Sequence, residues 1–446
     1  MRRALSAFVL VFVLVLMLQG LAASKLTFTE RRSALAQGGQ TFGGFRSALL
    51  PAGYPDTVPA EYATFQSLNL IQDACSYLRS VISTSAVLKG LGVGSNEASA
   101  TAATLLWFLR DGAGMIGGLL FASLSARRFG QNAKQWRLFA DGINNVGITL
   151  EVLAPQYSSS KGLFLALLSA ASICRALCGV AAGACNAAIS EHMGAKHGNH
   201  AEIASKNGAQ HTLVSLICLS ASVPFISLTG RIPGRMLWLI YALLTTTHMV
   251  CNYCAMKAVA LRTLNPNRLS ILVSRFLFTG RRAQRLGAAD VAEEDPVLFF
   301  RGVASRDVRF WADAGTLSSL CDPYSICQAL SLYQHLGYFI VPASSASASA
   351  SASGSPSSPR AVVVCIKAAG GASAEAQAKA FFEAHLLLRG LRTTTPPAEA
   401  AKQARAEADA LWAAFWQRLG ELGWDRERLL LQPAHAATVD VFKEGG

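Results

Sequence analysis

Charge is what this sequence has least of. Only 15% of its 446 residues are Asp, Glu, Lys or Arg, against roughly 25% in an average soluble domain, so a single water-soluble enzyme domain fits poorly. Acidic residues are the scarcer sign, 27 against 40 basic. The signatures of soluble catalysis are also missing: there is no GxxxxGKS/T phosphate loop, no GxSxG elbow and no HExxH zinc helix. The glycine-rich run at Lys89–Gly94 follows no strand and does not meet the dinucleotide fingerprint. Ten cysteines in so long a chain make no disulfide framework. Cys174, Cys178, Cys185 and the Cys251-x-x-Cys254 pair lie in apolar runs and read as small packing residues. His192, His197, His200 and His211 fall in what reads as a loop between two such runs, with no cysteine beside them, so no metal or cofactor is expected. A chain 52% hydrophobic is in turn too apolar to be disordered.

Long hydrophobic runs are what is there. Met236–Met256 carries no Lys, Arg, Asp or Glu over 21 residues and Thr212–Thr229 none over 18; about 20 apolar residues cross a bilayer. A turn-rich link, Gly230–Arg235, makes them a helical hairpin. Gly162–Ile189 is broken only by Arg175, and Ala98–Ala126 only by Arg110 and Asp111. Leu138–Pro155 and residues 66–94 are weaker candidates, giving four to six spans. Residues 1–295 hold 26 basic against 14 acidic side chains, residues 296–446 14 against 13. The excess reads as basic loops at a membrane face, with Arg127, Arg128, Lys134 and Arg137 on the same side as seven Lys/Arg between Lys257 and Arg285. This distribution speaks against nucleic acid as a partner. Gly114/Gly118 and Gly179/Gly183 have the GxxxG spacing of helix-packing faces.

The N-terminus reads as an address. Arg2 and Arg3, the uncharged run Ala4–Leu18 and small residues at Gly20, Ala22 and Ala23 make a signal peptide over 1–23. Residues 24–50 are basic, hydroxyl-rich and acid-poor, like a transit peptide. Together they predict delivery to a plastid through the secretory route, with an endomembrane location as the alternative. Past 295 the character changes: a connecting region (296–343), a Ser/Ala-rich linker (344–359) and a small C-terminal domain (360–446). In that domain Ala361–Ile366 reads as a buried strand, Ala374–Leu388 and Ala398–Leu422 as helices, and Leu429–Leu431 as a closing strand. The fold class expected is mainly α, a polytopic α-helical membrane bundle over 51–295 followed by a small α+β soluble domain.

Polar side chains inside apolar runs are the functional pointers, because each costs about 2.5–3.5 kcal/mol at mid-span. Lys134, Arg137, Asp141, Asn144, Asn145 and Glu151 fall within an arc of about 120° on one helix. That stripe faces either a solute path or a partner helix. Arg110 and Asp111 point about 100° apart, so Lys89 or Arg175 is the better partner for Asp111.

Several stretches resemble the root UVB sensitive family, a membrane family with a domain of unknown function. They are LPAGYPDTV (50–58), AVLKGLGVG (86–94), LWFLRDGAGMIG (106–117), QWRLFADGINNVGITLEVLAP (135–155), GNHAEIASKNGAQHTL (198–213), NPNRLSIL (265–272) and GWDRERLLLQP (423–433). The resemblance implies a membrane protein, plastidial in some plant members, linked to UV-B responses and vitamin B6 homeostasis, and it supplies no catalytic residues. The expectation is a non-enzymatic protein of the lipid bilayer that handles or senses a small polar ligand such as a B6 vitamer, alone or as a homo- or hetero-oligomer with family members. The alternative is a membrane-anchored adaptor whose basic face and C-terminal domain recruit proteins. The candidate in-membrane site is Lys89, Arg110, Asp111, Arg137, Asp141, Asn145 and Glu151.

Overall fold

The computed structural model describes residues 47–92, 100–125, 129–277, 285–298, 308–312, 314–343, 362–367, 373–392, 395–431 and 438–439. The expected signal peptide, all but the last four residues of the transit-like leader, and the 344–359 linker lie outside the described residues. The chain is mainly helical and divides into two units, Met1–Val259 and Ala260–Gly446.

In the first unit each apolar run becomes a helix, extended at its ends by polar turns. The helices are α1 (Tyr62–Gly90), α2 (Ala100–Ser125), α3 (Ala133–Leu153), α4 (Lys161–Gly194), α5 (His200–Thr229) and α6 (Gly234–Ala258). α2 and α3 pack along α4, and α1 packs along α6 and α5. In the glycine-rich run Gly92 has a structural use: at φ +75°, it ends α1 by donating to the Lys89 carbonyl at 3.0 Å. Gly114, Gly117 and Gly118 let α2 lie against α4. A Cβ at Gly114 would stand 2.3 Å from Ser172 Oγ and one at Gly117 2.9 Å from Ile173. Gly179 and Gly183, of the same spacing, meet nothing within 4 Å among the described residues, so only the first GxxxG is a packing face here.

Three helices are long and apolar enough to cross a membrane: α2 from Thr104 to Ser125, α4 and α5. That is fewer than the four to six expected. α6 drops out despite its uncharged stretch Met236–Met256, because Thr245, Thr246, Thr247, His248 and Asn252 dilute its hydropathy. These residues point inward in part: Thr247, His248 and Asn252 are buried, while α2 turns Phe108, Leu119 and Leu124 outward. The loop-charge reading also changes, since Lys134 and Arg137 are buried on α3 and are not loop residues. Of the four histidines only His197 is in the loop; His192 belongs to α4, and His200 and His211 to α5.

The second unit starts well before the compositional change at 295, because its first helix is amphipathic and buried in that unit's own core. Its elements are β1 (Thr263–Leu264), α7 (Pro266–Leu277), α8 (Ala288–Ala292), β2 (Val308–Phe310), α9 (Ala314–Leu320), α10 (Pro323–Leu332), β3 (Tyr338–Pro342), β4 (Val362–Lys367), α11 (Ala374–Gly390), α12 (Pro397–Glu421), β5 (Asp425–Leu429) and β6 (Thr438–Val439). β4 is central: β2 and β6 pair with it in parallel and β3 antiparallel. Val362, Val363, Val364 and Cys365 are fully buried, as a strand covered on both faces requires. α7 contributes Leu269 and Leu272, α11 Phe381 and Phe382, and α12 Phe415 to the same core. The strand expected at Leu429–Leu431 is β5, which begins earlier, at Asp425, and pairs in parallel with β1.

Candidate functional site

The polar side chains of α3 look inward, and each meets a partner from another helix. Asp141 is the hub of one cluster. It accepts from Gln72 of α1 and Asn252 of α6, both at 2.5 Å, and Arg137 lies 3.6 Å away one turn earlier on α3. Arg137 in turn donates to Asn186 of α4 at 2.7 Å and to Asn69 of α1 at 3.4 Å. One turn further along α3, Asn145 accepts from Arg79 of α1. Glu151 is the hub of a second cluster, taking Arg110 of α2 at 2.9 Å, Arg175 of α4 at 3.1 Å and the Ser83 hydroxyl of α1. Between the clusters, Thr149 and Tyr241 of α6 are hydrogen-bonded at 2.8 Å. In an apolar bundle each such group needs its partner, so the stripe acts as a hydrogen-bonded seam joining α1, α2, α4 and α6 to α3.

Five of the seven candidates therefore come together: Arg110, Arg137, Asp141, Asn145 and Glu151. Asp111 does not join them. Its nearest cation is its neighbour Arg110, at 3.9 Å, and its side chain is 44% exposed. The expected partner Arg175 goes instead to Glu151, and Lys89 lies elsewhere.

Lys89 closes one end of a groove between α1 and α5. The groove encloses about 720 Å³ and is lined by the hydroxyls of Ser76, Tyr77, Ser80, Thr84, Ser85, Ser215 and Ser222, with Leu88, Leu219 and Ile226 between them. Asp73 and His211, 3.1 Å apart, close the other end. From Asp73 to Lys89 α1 rises about 24 Å, most of the thickness of a hydrocarbon core. α1 thus carries two polar faces. Gln72, Arg79 and Ser83 turn to the seam, while Ser76, Ser80 and Thr84 turn to the groove.

Sequence reasoning missed the groove and the α1 and α6 members of the seam. Arg79 weighs against a span when hydropathy is the only measure, yet a lone cation in the middle of an apolar helix was itself the signal. The groove hydroxyls carry no charge, and serine and threonine are common in helices that only pack.

The matched motifs also meet one another. The segment at 50–58 is strapped to α5 through Ala52 N–H on Glu202 (2.7 Å) and to the loop before α5 through Lys196 on the Asp56 carbonyl (2.7 Å). Just outside it, Gln210 donates to the Leu49 carbonyl at 2.7 Å. In the second unit, the segments around 265 and 425 pair as β1 and β5. There Arg268 reaches Asp295 at 3.2 Å, and Asn265 caps α7 by accepting from Arg268 N–H at 2.8 Å.

The family described as the vitamin B6 photo-protection and homoeostasis domain matches residues 37–280. RUS family member 1 of Dictyostelium discoideum is 34% identical over 290 residues, 64% of this chain and 53% of the relative. Protein root UVB sensitive 3 of Arabidopsis thaliana is 36% identical over 234 residues, 52% of each. Protein root UVB sensitive 2, chloroplastic, of the same plant is 29% identical over 238 residues, 53% of each. The chain spans about half the length of these curated relatives. No solved structure matches it.

Proposed function

The chain belongs to the root UVB sensitive family, and from that premise we propose a multi-pass membrane protein that binds a small polar solute in the α1/α5 groove without transforming it. The carrying observation is the groove itself: seven hydroxyls set between two polar ends, in a unit whose outer surface on α2 is apolar. Hydroxyls offer both donors and acceptors at little desolvation cost, which suits an uncharged or zwitterionic solute passing through hydrocarbon. The family's description makes a B6 vitamer the first candidate. The non-enzymatic reading is supported by the seam, whose carboxylates are engaged with one another's helices and so serve to hold the bundle. Pyridoxine binding to the purified full chain tests the proposal. Ser80→Leu and Thr84→Leu fill the groove and should weaken binding at least tenfold. Unchanged binding in both removes the groove from the account.

The second unit favours one further reading. It has its own core and a separate pocket of about 660 Å³ lined by Trp416, Trp424 and Arg426, and as a water-exposed α+β domain it would suit an adaptor. Deleting 260–446 separates the two: an adaptor loses its function, whereas a solute-binding bundle keeps pyridoxine. Delivery to a plastid through the secretory route belongs to the same proposal. It is supported by the two-part character of 1–50 and by one relative being named chloroplastic. Imaging a fusion carrying residues 1–55 decides it, and reticular fluorescence outside plastids would refute it.

A further inference from the structure

Beyond the groove, the interior of the bundle holds a cation that no carboxylate among the described residues contacts, although Asp141 lies within electrostatic reach. Arg79 is fully buried. It donates to Asn145 and, through Nε, to the Cys75 carbonyl at 3.4 Å, both neutral acceptors. Among the described residues its second terminal nitrogen has no partner, and it forms no ion pair. The nearby carboxylate is already committed, since Asp141 takes Gln72, Asn252 and Arg137. Every other buried arginine of the seam faces an acid: Arg110 has Glu151 and Arg137 has Asp141. A bare guanidinium is costly in such surroundings unless an anion completes it.

Two further unpartnered atoms lie on α6, on side chains tied to the same cluster through Arg79 and Asp141. α3 and α6 run antiparallel, Asp141 facing Asn252 and Thr149 facing Tyr241. His248, one turn before Asn252, therefore comes to the level of Asn145 and Arg79, and it lies within electrostatic reach of both Arg79 and Arg137. His248 is 1% exposed, and its Nδ1 has no partner among the described residues. The same holds for Asn252 Oδ1, the amide nitrogen being spent on Asp141. The set offers a charged donor, a ring nitrogen and one acceptor that needs a donor.

We infer that Arg79, His248 and Asn252 form an interior binding site for a small protonated oxyanion, of the hydrogen-phosphate class. The anionic oxygens accept from the guanidinium and from the His248 ring in its Nδ1–H form, and the remaining acid hydroxyl donates to Asn252 Oδ1. A chloride ion satisfies the first two and leaves the third, so the site prefers the oxyanion over the halide. The groove proposal is separate and can fail without this one.

The test is titration of inorganic phosphate, then chloride, into the purified full chain at pH 7, followed by calorimetry. Saturable phosphate binding is expected, tighter than that of chloride. Arg79→Gln keeps a neutral donor but removes the charge, and should weaken phosphate about 10- to 100-fold, the value of hydrogen bonds to a charged group. Arg79→Lys keeps the charge without the fork and should fall between, and His248→Ala should lose several-fold. These two variants carry the test if Arg79→Gln does not fold. The inference is overturned if phosphate fails to bind the wild type, if chloride binds as tightly, or if the folded Arg79 and His248 variants bind phosphate as well as the wild type does.

Discussion

Glu151→Ala removes the carboxylate on which three helices converge, and its cost follows from the geometry. The Arg110 partner is mostly buried: the two side chains are 13% and 2% exposed, with a bond of 2.9 Å. Truncating one side of such a pair leaves an uncompensated charge, worth about 3–5 kcal/mol. Arg175, 40% exposed on α4, loses the same partner at 3.1 Å and adds to this cost. Ser83 loses an acceptor, about 1 kcal/mol more. The expected destabilisation is roughly 4–6 kcal/mol. It is read from reversible unfolding in mixed micelles, followed by far-ultraviolet circular dichroism. Glu151→Gln keeps an acceptor and should cost clearly less. The double variant Glu151→Leu/Arg110→Leu should recover most of the loss, since replacing both partners of a buried pair with apolar groups is close to neutral. A cost under about 1 kcal/mol for Glu151→Ala, or a double variant no better than the single one, would refute the seam as the brace between α3 and its neighbours.

Other expectations are equally concrete. Gly114→Ala drives a methyl into Ser172 and should cost about 1–3 kcal/mol, while Gly179→Ala, in open space, should be neutral or stabilising by up to about 1 kcal/mol; the same unfolding assay checks both. In the second unit, buried Glu383 accepts from Tyr333 at 2.5 Å and Tyr338 at 3.0 Å, and burial raises its pKa above the ordinary carboxylate range. Tyr333→Phe should raise that pKa further and cost about 1.5–3 kcal/mol at neutral pH, seen as faster amide exchange in α11. Burial pushes His385 down to about 4 from an ordinary 6.5. Below 6.5 the unfolded chain takes up a proton that the folded one refuses, so stability is complete above 6.5 and falls until about 4. The loss is about 3 kcal/mol. α11 amide exchange, corrected for intrinsic rate, should show it, and His385→Gln should flatten the profile.

How much of this was legible depended on whether a residue's role was local. The positions of α2, α4, α5 and α6, though not their polar ends, followed from apolar runs, and the inward stripe from Arg137 to Glu151 followed from spacing on one helix. Partners across helices did not, because they depend on register. Arg175 answers Glu151 on α3, one helix along from the expected Asp111 on α2. Gly114 and Gly179 share a spacing, and only the neighbour each happens to face tells them apart. The unit boundary at 259/260 was hidden for a related reason. α7 carries Arg268 and Arg275 on an otherwise apolar helix, which reads as basic loop sequence until Asp295 and Glu294 are seen to face them.

The central claim is that lipid, and not water, surrounds the outer faces of α2, α4 and α5. The direct measurement is alkaline carbonate extraction of membranes bearing a chain that begins at residue 51, so that the N-terminal apolar run cannot act as the anchor. The account predicts that this chain stays in the membrane pellet and leaves it only in detergent. Release into the carbonate supernatant, with a monodisperse product in plain buffer, would contradict it.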